Sequence, residues 1–575
     1  MWKFVLGIAV GIVVAVVGSF IILYAIGRAF SGKQPTIAGD SVLVLALDGD
    51  LPEAPSVEIP VPFLQAQTSP TVRDVWTALR GAASDNRIKA IVLQPRGIGA
   101  GWGKLQELRQ QLTNFKKSGK PVYAYLQSPG SREYYLASVA DRIFVSPDDM
   151  LGVKGFLLQE LYFKNTLDKF GVSVQVDHIG KYKDAGDLFT KTNMSPETRE
   201  VLNQVLDQLY GEFCAAVGQS RHKSADEVRN LVDAGPFLAS QAKADGLIDE
   251  LGYEDDVYGS LKKKLGLRDL NKTNIKTYFR AVPGKGDRIA LLAGEGDIVR
   301  GDPDDGTLGG QAAFSASAFS KVVRQVRNDS SVKGVILRVD SPGGDSVASD
   351  EILHELKLLS AAKPLVISMS DMAASGGYFI SMTGDPVLSY PNTITGSIGV
   401  LYIRPNLRGL LDKLGVQIET LARGKMAGID SVTEPLSDAA QQKLHDSILA
   451  TYRSFVGKVA SARKKNFSQI DALAQGRVWM GTQARQNGLV DDLGGLDQAI
   501  ALIRKKANLS ASGETNLVLY PARRSLFEIL SNASPDTFES SAVESRIRKQ
   551  LPGLPSRALL EGGMLRILPY RLTVQ

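Results

Sequence analysis

The sequence predicts an α/β protein that consists of two similar domains behind an N-terminal membrane-spanning helix. Three observations support this prediction. One run near the N-terminus is apolar and uncharged, buried-strand patterns alternate with helical ones, and the alternating segment occurs twice. The 575 residues leave room for two or three domains of ordinary size.

The composition argues against several classes of site. Charged residues make up 22% and hydrophobic residues 44%, an ordinary globular balance, and no dense Lys/Arg run accompanies the net charge of +6. Nucleic-acid binding is therefore not expected. The four histidines show no metal-binding spacing, so no metal or cofactor is predicted. The one cysteine, Cys214, lies in the helical pattern Pro196–Val217 and is interpreted as a core thiol.

The apolar run Phe4–Ile26 contains 23 residues without a charge, which is long enough to cross a bilayer as a helix. A cleaved signal peptide is the alternative, but no small-residue cleavage site follows the run. We therefore expect an uncleaved anchor and linker at residues 1–40. Lys3 on one side and Arg28 and Lys33 on the other do not fix the orientation.

Two repeats follow the anchor, at residues 41–285 and 286–509, and a tail occupies residues 510–575. Three landmarks recur in the same order, 242 to 244 residues apart: Lys89–Leu93 and Lys333–Leu337, Gly119–Val122 and Ala362–Leu365, Ala244–Gly252 and Gln486–Gly494. Each repeat opens with a strand pattern and closes with long helical patterns, which predicts two copies of one α/β domain. The tail has short apolar runs, and its role is left open.

Two glycine-containing motifs in the second repeat occupy equivalent positions. Asp340–Asp345 reads Asp-Ser-Pro-Gly-Gly-Asp, and Asp371–Tyr378 reads Asp-Met-Ala-Ala-Ser-Gly-Gly-Tyr. Each follows a predicted strand and precedes a predicted helix: Gly334–Val339 and Ser346–Ser360 for the first, Pro364–Met369 and Ser375–Thr383 for the second. Turns after successive parallel strands meet at one edge of a sheet, where α/β active sites lie.

Residue types at these turns suit nucleophilic catalysis. Ser375 is expected at the start of a helix, and Gly343 and Gly344 offer backbone N–H groups that could bind an oxyanion. The first repeat lacks the paired glycines. In a gapless alignment Ser375 matches Arg132, and Ser131 lies one residue off, so Ser131 is not expected to be a nucleophile.

The hydroxyl of Ser375 needs a base to accept its proton. His178, which follows the predicted strand Ser173–Asp177, is the histidine best placed for that role. A lysine amine can serve instead when burial disfavours its charged form. Lys183 follows the same strand, and Lys425 lies 242 residues later in the second repeat. From these patterns alone, either lysine could supply the base.

Three motifs resemble the signal peptide peptidase A (protease IV) family in its long, duplicated, membrane-anchored form. They are Ser-Pro-Gly-Gly at 341–344, Ala-Ser-Gly-Gly-Tyr at 374–378 and Tyr-Lys-Asp-Ala at 182–185, and the match covers nearly the whole chain. The resemblance implies two tandem domains similar to the Clp protease and crotonase group.

The resemblance also implies roles for individual residues. Ser375 would be the nucleophile and Lys183 the general base of a Ser/Lys dyad. The backbone N–H groups of Gly344 and Gly376 would bind the oxyanion. Lys425 lies where single-repeat relatives keep their lysine, so it stays the alternative base. A neutral Lys183 further requires that the carboxylate of Asp184 point away from it.

The function implied is that of a serine endopeptidase that degrades cleaved signal peptides through an acyl-enzyme. It would be a homotetramer held by a single N-terminal helix in the lipid of the bacterial cytoplasmic (inner) membrane, with extracytoplasmic catalytic domains. Two alternatives of other classes remain open at this stage: a crotonase-like acyl-CoA hydrolase and a non-catalytic membrane scaffold.

Overall fold

The computed structural model describes residues 35–54, 69–282, 284–301, 314–521 and 563–568, together with three isolated glycines near the N-terminus. The predicted anchor Phe4–Ile26 lies outside the described residues apart from those glycines. Within the described ranges, no helix combines the length and the hydrophobicity that crossing a bilayer requires.

The first repeat forms a parallel sheet with helices packed around it, in the strand order β8-β4-β3-β2-β1-β9. Its strands are β1 (Ser41–Asp48), β2 (Ile88–Arg96), β3 (Val122–Leu126), β4 (Arg142–Val145), β5 (Met150–Leu151), β6 (Ser173–Ile179), β7 (Phe237–Leu238), β8 (Glu250–Leu251) and β9 (Asn271–Asn274). Its helices are α1 (Val72–Ser84), α2 (Trp102–Lys116), α3 (Ser131–Ala137), α4 (Lys164–Phe170), α5 (Asp187–Thr190), α6 (Pro196–Arg221), α7 (Ala225–Ala234), α8 (Ala239–Ala244), α9 (Glu254–Leu265) and α10 (Ile275–Ala281).

The second repeat builds the corresponding sheet in the order β19-β17-β15-β13-β10-β21, parallel except for β19. Its strands are β10 (Asp287–Glu295), β11 (Ile298–Val299), β12 (Phe314–Ser315), β13 (Gly334–Ser341), β14 (Gly343–Asp345), β15 (Leu365–Ala374), β16 (Val387–Ser389), β17 (Ile394–Gly396), β18 (Val400–Asn406), β19 (Val478–Met480) and β20 (Asp492–Leu493). The edge strand of this sheet, β21 (Thr515–Tyr520), comes from the segment that the sequence assigned to the tail and pairs with β10. Its helices are α11 (Ala316–Asn328), α12 (Ser346–Ala362), α13 (Gly376–Ile380), α14 (Arg408–Lys413), α15 (Asp438–Ala462), α16 (Phe467–Asp471), α17 (Gly481–Asn487) and α18 (Leu496–Lys506).

A third, mixed sheet joins the two repeats to the tail. Its order is β12-β11-β14-β22-β18-β6, where β22 is Gly563–Ile567. Strand β6 of the first repeat pairs antiparallel with β18 of the second, from Val400 opposite Ile179 to Asn406 opposite Ser173. This pairing carries the chain that follows β6 onto the second repeat.

The strand before the serine motif is longer than the sequence predicts. Strand β15 continues through Ala374, because residues 372–374 pair in parallel with Ile394–Gly396. The expected turn is therefore shortened to the single residue Ser375, which connects β15 directly to α13.

The apolar core is continuous across the repeats. Leu43 and Leu93 from the first sheet belong to the same buried cluster as Leu291 and Leu388 from the second. Cys214 is also buried in this cluster, which confirms the predicted core thiol. Burial of apolar surface is the main stabilising contribution in a folded protein. This shared core therefore stabilises the packing of the two repeats against one another.

Candidate active site

Ser375 stands at a sharp turn between a strand and a helix. Its backbone has φ = 52°, a region that L-residues rarely adopt, and its N–H donates to the carbonyl of Gly396 at 2.8 Å. Two positions further on, a β-carbon on Gly377 would lie 2.6 Å from the carbonyl oxygen of Ser341. A glycine is therefore needed there for the turn to pack against β13.

The amine of Lys183 reaches this serine from the first repeat. Its Nζ lies 2.9 Å from Oγ of Ser375, and both side chains are fully buried. The lysine stem runs between Gly399 and Gly476, since a β-carbon on either would lie within 3.0 Å of it. Gly180, with φ = 107°, lets the chain turn after β6 so that Lys183 enters the second repeat.

A second serine, Ser397, contacts the same amine, and sequence reasoning missed it. Nζ of Lys183 lies 2.9 Å from Oγ of Ser397 and 3.2 Å from its carbonyl oxygen. Ser397 follows β17 in the segment Thr395-Gly-Ser-Ile-Gly399 and has φ = 50°. A serine in a Gly-Ser-Ile-Gly segment directly after a strand is the signal that could have identified it.

The other candidate bases lie elsewhere. Lys425 is exposed in the loop between α14 and α15. His178 is also exposed, and its Nδ1 lies 3.0 Å from the carbonyl oxygen of Gly180. Of the two lysines that the sequence left open, the structure brings Lys183 to Ser375.

The carboxylate next to Lys183 is engaged elsewhere. Asp184 accepts a short hydrogen bond from the hydroxyl of Thr198 at the start of α6. Burial raises the pKa of Asp184 to about 7, although the Thr198 hydrogen bond opposes this rise. The expectation that Asp184 points away from the Lys183 amine agrees with this contact.

The paired glycines form strand β14 beside the serine turn. Gly343 has φ = 103° and donates its N–H to Oγ of Ser341 at 3.2 Å, and Gly344 has φ = 152°. A β-carbon on Gly344 would lie 2.1 Å from the carbonyl oxygen of Ile298. Only glycine satisfies both the backbone conformation and the space here. Gly376 is the first residue of α13.

The groove beside the dyad holds a segment of the chain itself. Strand β22 lies antiparallel between β14 and β18, and the N–H of Leu568 donates to the carbonyl of Pro342 at 2.7 Å. The carbonyl of Ile567 accepts a short hydrogen bond from the Lys183 amine. Leu565 and Ile567 pack in one apolar cluster with Ala185, Leu188, Phe189, Leu401 and Ile403.

A buried cation from the first repeat holds the two motifs of the second repeat together. Nζ of Lys104 lies 2.7 Å from Asp340, 3.4 Å from Glu295 and 3.8 Å from Asp371. These acids occupy the carboxyl-end halves of three adjacent strands, β10, β13 and β15. Burial raises the pKa of Asp371 to about 6, and the nearby Lys104 opposes that rise.

Backbone groups complete this junction. The carboxylate of Asp371 accepts the N–H groups of Gly101 and Lys104 at the start of α2, at 2.8 and 2.7 Å. Asp340 accepts the N–H of Met372 at 3.0 Å. The first repeat thus fixes the strand that leads to Ser375, four residues after Asp371.

The first repeat has the same tyrosine hydrogen bond as the serine site of the second repeat but lacks its paired glycines. The hydroxyl of Tyr134 donates to Leu247 O, and that of Tyr378 donates to Leu489 O, both at 2.8 Å. This equivalence places Ser131 at the position of Ser375, so the gapless alignment with Arg132 was wrong by one residue.

In the first repeat, a carboxylate binds the backbone N–H groups near Ser131. Glu133 accepts the N–H of Ile98 at 2.7 Å and the N–H of Gly130 at 2.9 Å. Ile98 belongs to the loop that corresponds to the glycine turn of the second repeat. The backbone N–H groups that could bind an oxyanion in the first repeat are therefore already bound to the carboxylate of Glu133.

Comparison with known proteins agrees with this geometry. The model of peptidase family S49 matches the chain twice, at residues 114–268 and 357–510. The first match contains Lys183 and the second contains Ser375.

Three relatives match over most of the chain. The chloroplastic serine protease SPPA of Arabidopsis thaliana is 36% identical over 78% of this chain and 68% of its own length. Protease 4 of Salmonella typhi is 34% identical over 83% and 78%, respectively. Protease 4 of Haemophilus influenzae is 31% identical over 85% and 83%. These matches decide against both an acyl-CoA hydrolase and a non-catalytic scaffold. The chain belongs to peptidase family S49, as the sequence motifs predicted, and is a serine protease.

Proposed function

We propose that the protein is a Ser/Lys-dyad endopeptidase in which Ser375 is the nucleophile and Lys183 the general base. The observation that carries the proposal is the 2.9 Å contact between Nζ of Lys183 and Oγ of Ser375. Complete burial disfavours the charged form of an amine, which leaves a lone pair to accept the serine proton.

In the proposed reaction Ser375 attacks a peptide carbonyl while Lys183 accepts its proton. The N–H groups of Gly344 and Gly376 bind the oxyanion of the tetrahedral intermediate, an interaction typically worth about 3–4 kcal/mol per donor. The protonated lysine then donates to the leaving amine. Water hydrolyses the acyl-enzyme, again with Lys183 as the base.

The proposed substrate binds as an extended strand between β14 and β18, in the place that β22 occupies. Because Leu565 and Ile567 lie against apolar side chains there, apolar residues at alternate substrate positions are favoured. Signal peptides released from their precursors are short and apolar and fit this description. Backbone hydrogen bonds between the groove and an extended peptide would supply affinity that does not depend on any one substrate side chain. The groove is therefore suited to peptides of this class.

The proposed setting takes the anchor from the N-terminal run at Phe4–Ile26, and the kind of membrane and the side from the resemblance to the signal peptide peptidase A family. This run anchors the chain in the lipid of the bacterial inner membrane, with the catalytic domains on the extracytoplasmic side, where released signal peptides accumulate. The proposal further includes two tandem Clp protease/crotonase-like domains, at residues 41–285 and 286–509, and self-association into a homotetramer.

The test is hydrolysis of a fluorogenic apolar peptide by the full chain in detergent. Ser375→Ala and Lys183→Met are each expected to lower kcat by at least 10³-fold with unchanged folding. Lys425→Ala and Ser131→Ala are the matched controls and should keep wild-type rates. Retained hydrolysis in Ser375→Ala would overturn the scheme, and loss only in Lys425→Ala would transfer the base to the second repeat.

A covalent probe separates nucleophile from base. A peptidyl phosphonate should label Ser375 in the wild-type enzyme, detected by mass spectrometry of the tryptic peptide. Labelling should be at least 10²-fold slower in Lys183→Met and unchanged in Lys425→Ala. Labelling of Ser397 in place of Ser375 would contradict the assignment of the nucleophile.

A further inference from the structure

The loop that carries Lys183 belongs to the first repeat, so the amine stays in the site only while this loop is held against the second repeat. The surface that receives the loop is formed by residues 475–477, directly before β19. The N–H of Tyr182 donates to the carbonyl of Gln475 at 2.9 Å. A β-carbon on Gly476, which has φ = 77°, would lie 2.6 Å from the β-carbon of Lys183. The backbone therefore approaches the lysine as closely as a glycine allows.

Arg477 makes a second contact with the same loop, through its guanidinium group. Its Nη1 donates to the hydroxyl of Tyr182 at 2.7 Å, and the guanidinium carbon lies 4.8 Å from the centre of that ring. The same carbon lies 4.7 Å from the centre of the Trp479 ring. The indole N–H of Trp479 donates to the carbonyl of Leu473 at 2.9 Å, which fixes this ring within the second repeat. Tyr182 is only 8% exposed, so little water competes for these contacts.

Helix α6 of the first repeat supplies the counter-charge. Nη1 of Arg477 lies 2.9 Å from the carboxylate of Glu200, and Nη2 donates to the amide oxygen of Gln204 at 2.9 Å. The hydrogen bond from Arg477 lowers the pKa of Glu200, so this carboxylate stays charged near neutral pH. Glu200 and Gln204 are one helical turn apart and bind the planar guanidinium together, which the single ammonium group of a lysine could not reproduce.

The main chain of the same segment contacts a second residue of the site. The carbonyl of Arg477 accepts the N–H of Ser397 at 2.7 Å, and Oγ of Ser397 lies 2.9 Å from Nζ of Lys183. The N–H of Gly476 donates to the carbonyl of Ile398 at 2.9 Å. One short segment of the second repeat is thus bonded both to the loop that carries the base and to the serine beside the base.

The first repeat has a glycine where the second has this arginine. Helices α8 and α17 begin at Ala239 and Gly481, 242 positions apart, so Arg477 corresponds to Gly235. The guanidinium is therefore present only in the repeat that receives the Lys183 loop. This difference argues against a role in the fold that both repeats share.

We propose that Arg477 is a positioning residue for hydrolysis: by binding Tyr182 it fixes the amine of Lys183 at hydrogen-bonding distance from Ser375. The inference rests on the proposed Ser375–Lys183 dyad and adds to it the group that holds the base in place. Misplacing a catalytic group by about 1 Å can lower a rate about 10²-fold. A loosened amine would also gain access to water, which favours its charged form and prevents it from accepting the serine proton.

Kinetics of Arg477→Met on the fluorogenic apolar peptide test the inference, with the full chain in detergent. We expect kcat to fall about 10²-fold with KM nearly unchanged, and the acidic limb of the pH profile of kcat to move to higher pH. Labelling of Ser375 by the peptidyl phosphonate should slow in parallel. Arg477→Lys, which keeps a charge near Glu200 but not the planar group, should recover only part of the rate.

Arg221→Met is the matched control for lost stability. Arg221 is the last residue of α6, its side chain is 11% exposed against 15% for Arg477, and it pairs with Asp249 at 2.9 Å. Its replacement should lower the unfolding temperature to a similar extent but leave kcat and the pH profile unchanged. An equal fall in kcat with an unshifted pH profile in both variants would overturn the positioning role.

Tyr182→Phe removes only the hydroxyl that the guanidinium binds, so the test stands even if Arg477→Met fails to fold. Its kcat should fall several-fold, with the same direction of shift in the pH profile. In the double variant the two losses should not add, because both changes break one contact. Strictly additive losses would contradict an action of Arg477 through Tyr182.

Failure of this inference is distinguishable from failure of the dyad. If Lys183→Met is inactive while Arg477→Met and Tyr182→Phe keep the wild-type kcat and pH profile, the positioning role is refuted and the dyad stands. If Lys183→Met retains hydrolysis, the proposed dyad fails, and the positioning role fails with it.

Discussion

The ammonium group of Lys104 lies 2.7 Å from the carboxylate of Asp340, with the cation supplied by the first repeat and the anion by the second. Asp340 and Asp371 each stand at the head of one of the two glycine motifs, so this contact fixes both motifs against the first repeat. The ion pair sits in a junction that also anchors the start of α2, where backbone N–H groups bind Asp371.

Replacing Lys104 with methionine should unfold this junction. Three carboxylates would lose their buried counter-ion, which typically costs about 3–5 kcal/mol. Urea unfolding should show the loss, and hydrolysis should fall in parallel. Adding Asp340→Asn to Lys104→Met should recover part of the stability, because one of the buried charges is then removed. Full stability of the single variant would contradict a structural role for the pair.

Asp184 predicts a dependence of stability on pH. Its folded pKa is raised from 3.8 to about 7, so its contribution is fully present below about pH 4 and is lost as the pH rises through 7. At about 1.4 kcal/mol per unit, the loss approaches about 4 kcal/mol. Asp184→Asn, which keeps an acceptor for Thr198, should flatten the fall in unfolding temperature between pH 4 and 7. An equal slope in both proteins would assign the dependence to another group.

Strand β22 should compete with substrate. Leu565→Asp with Ile567→Asp would expel the strand from its apolar cluster, because two charges cannot be buried there without partners. The rate of peptide hydrolysis at low substrate concentration should then rise several-fold, and Ser375→Ala in the same background should abolish it. A decrease instead would mean that β22 completes the groove and does not block it.

Gly344→Ala should impair catalysis more than stability. The added β-carbon would approach the carbonyl of Ile298 to 2.1 Å and displace the backbone N–H proposed to bind the oxyanion. A fall in kcat of about 10²-fold with a smaller change in KM is expected. Gly384→Ala is a useful control, because that glycine has positive φ but open space around it. Equal kinetics in the two variants would argue against the donor role.

Ser397→Ala should lower kcat about tenfold or more while KM changes little. Its hydroxyl lies 2.9 Å from the Lys183 amine and helps to aim that amine at Ser375. Ser397→Thr, which retains the hydroxyl, should recover part of the rate. If alanine and threonine behave alike, the hydroxyl has no part in positioning the base.

Local patterns were sufficient to predict the elements that carry the site. The strands before both motifs and the helices after them were predicted, because their apolar runs and glycine turns are signals within a few residues. The position of Ser131 was wrong by one residue, since a gapless alignment cannot show which tyrosine makes the equivalent hydrogen bond. The end of β15 was also misplaced, because its last three residues are held by pairing with β17 and not by their own pattern.

Long-range partners were beyond sequence reasoning. Nothing near Lys104 indicates that its ammonium group meets Asp340, and nothing near Ile567 indicates that its carbonyl reaches Lys183. Arg338 is a similar case: a charged residue inside an apolar strand is fully buried between Glu53 and Glu107, both supplied by the first repeat. Such contacts depend on how whole repeats pack, which no local periodicity encodes.

The order of residues along the chain determines when each part of the proposed site is made during synthesis. Lys183 leaves the ribosome 192 residues before Ser375, and β22 emerges after both. Under the proposed scheme, a chain that ends before Ser375 has the amine without the hydroxyl and is not expected to cleave other chains. Of the strands that the structure describes, β22 is the last to be made, and it is the one that fills the space between β14 and β18.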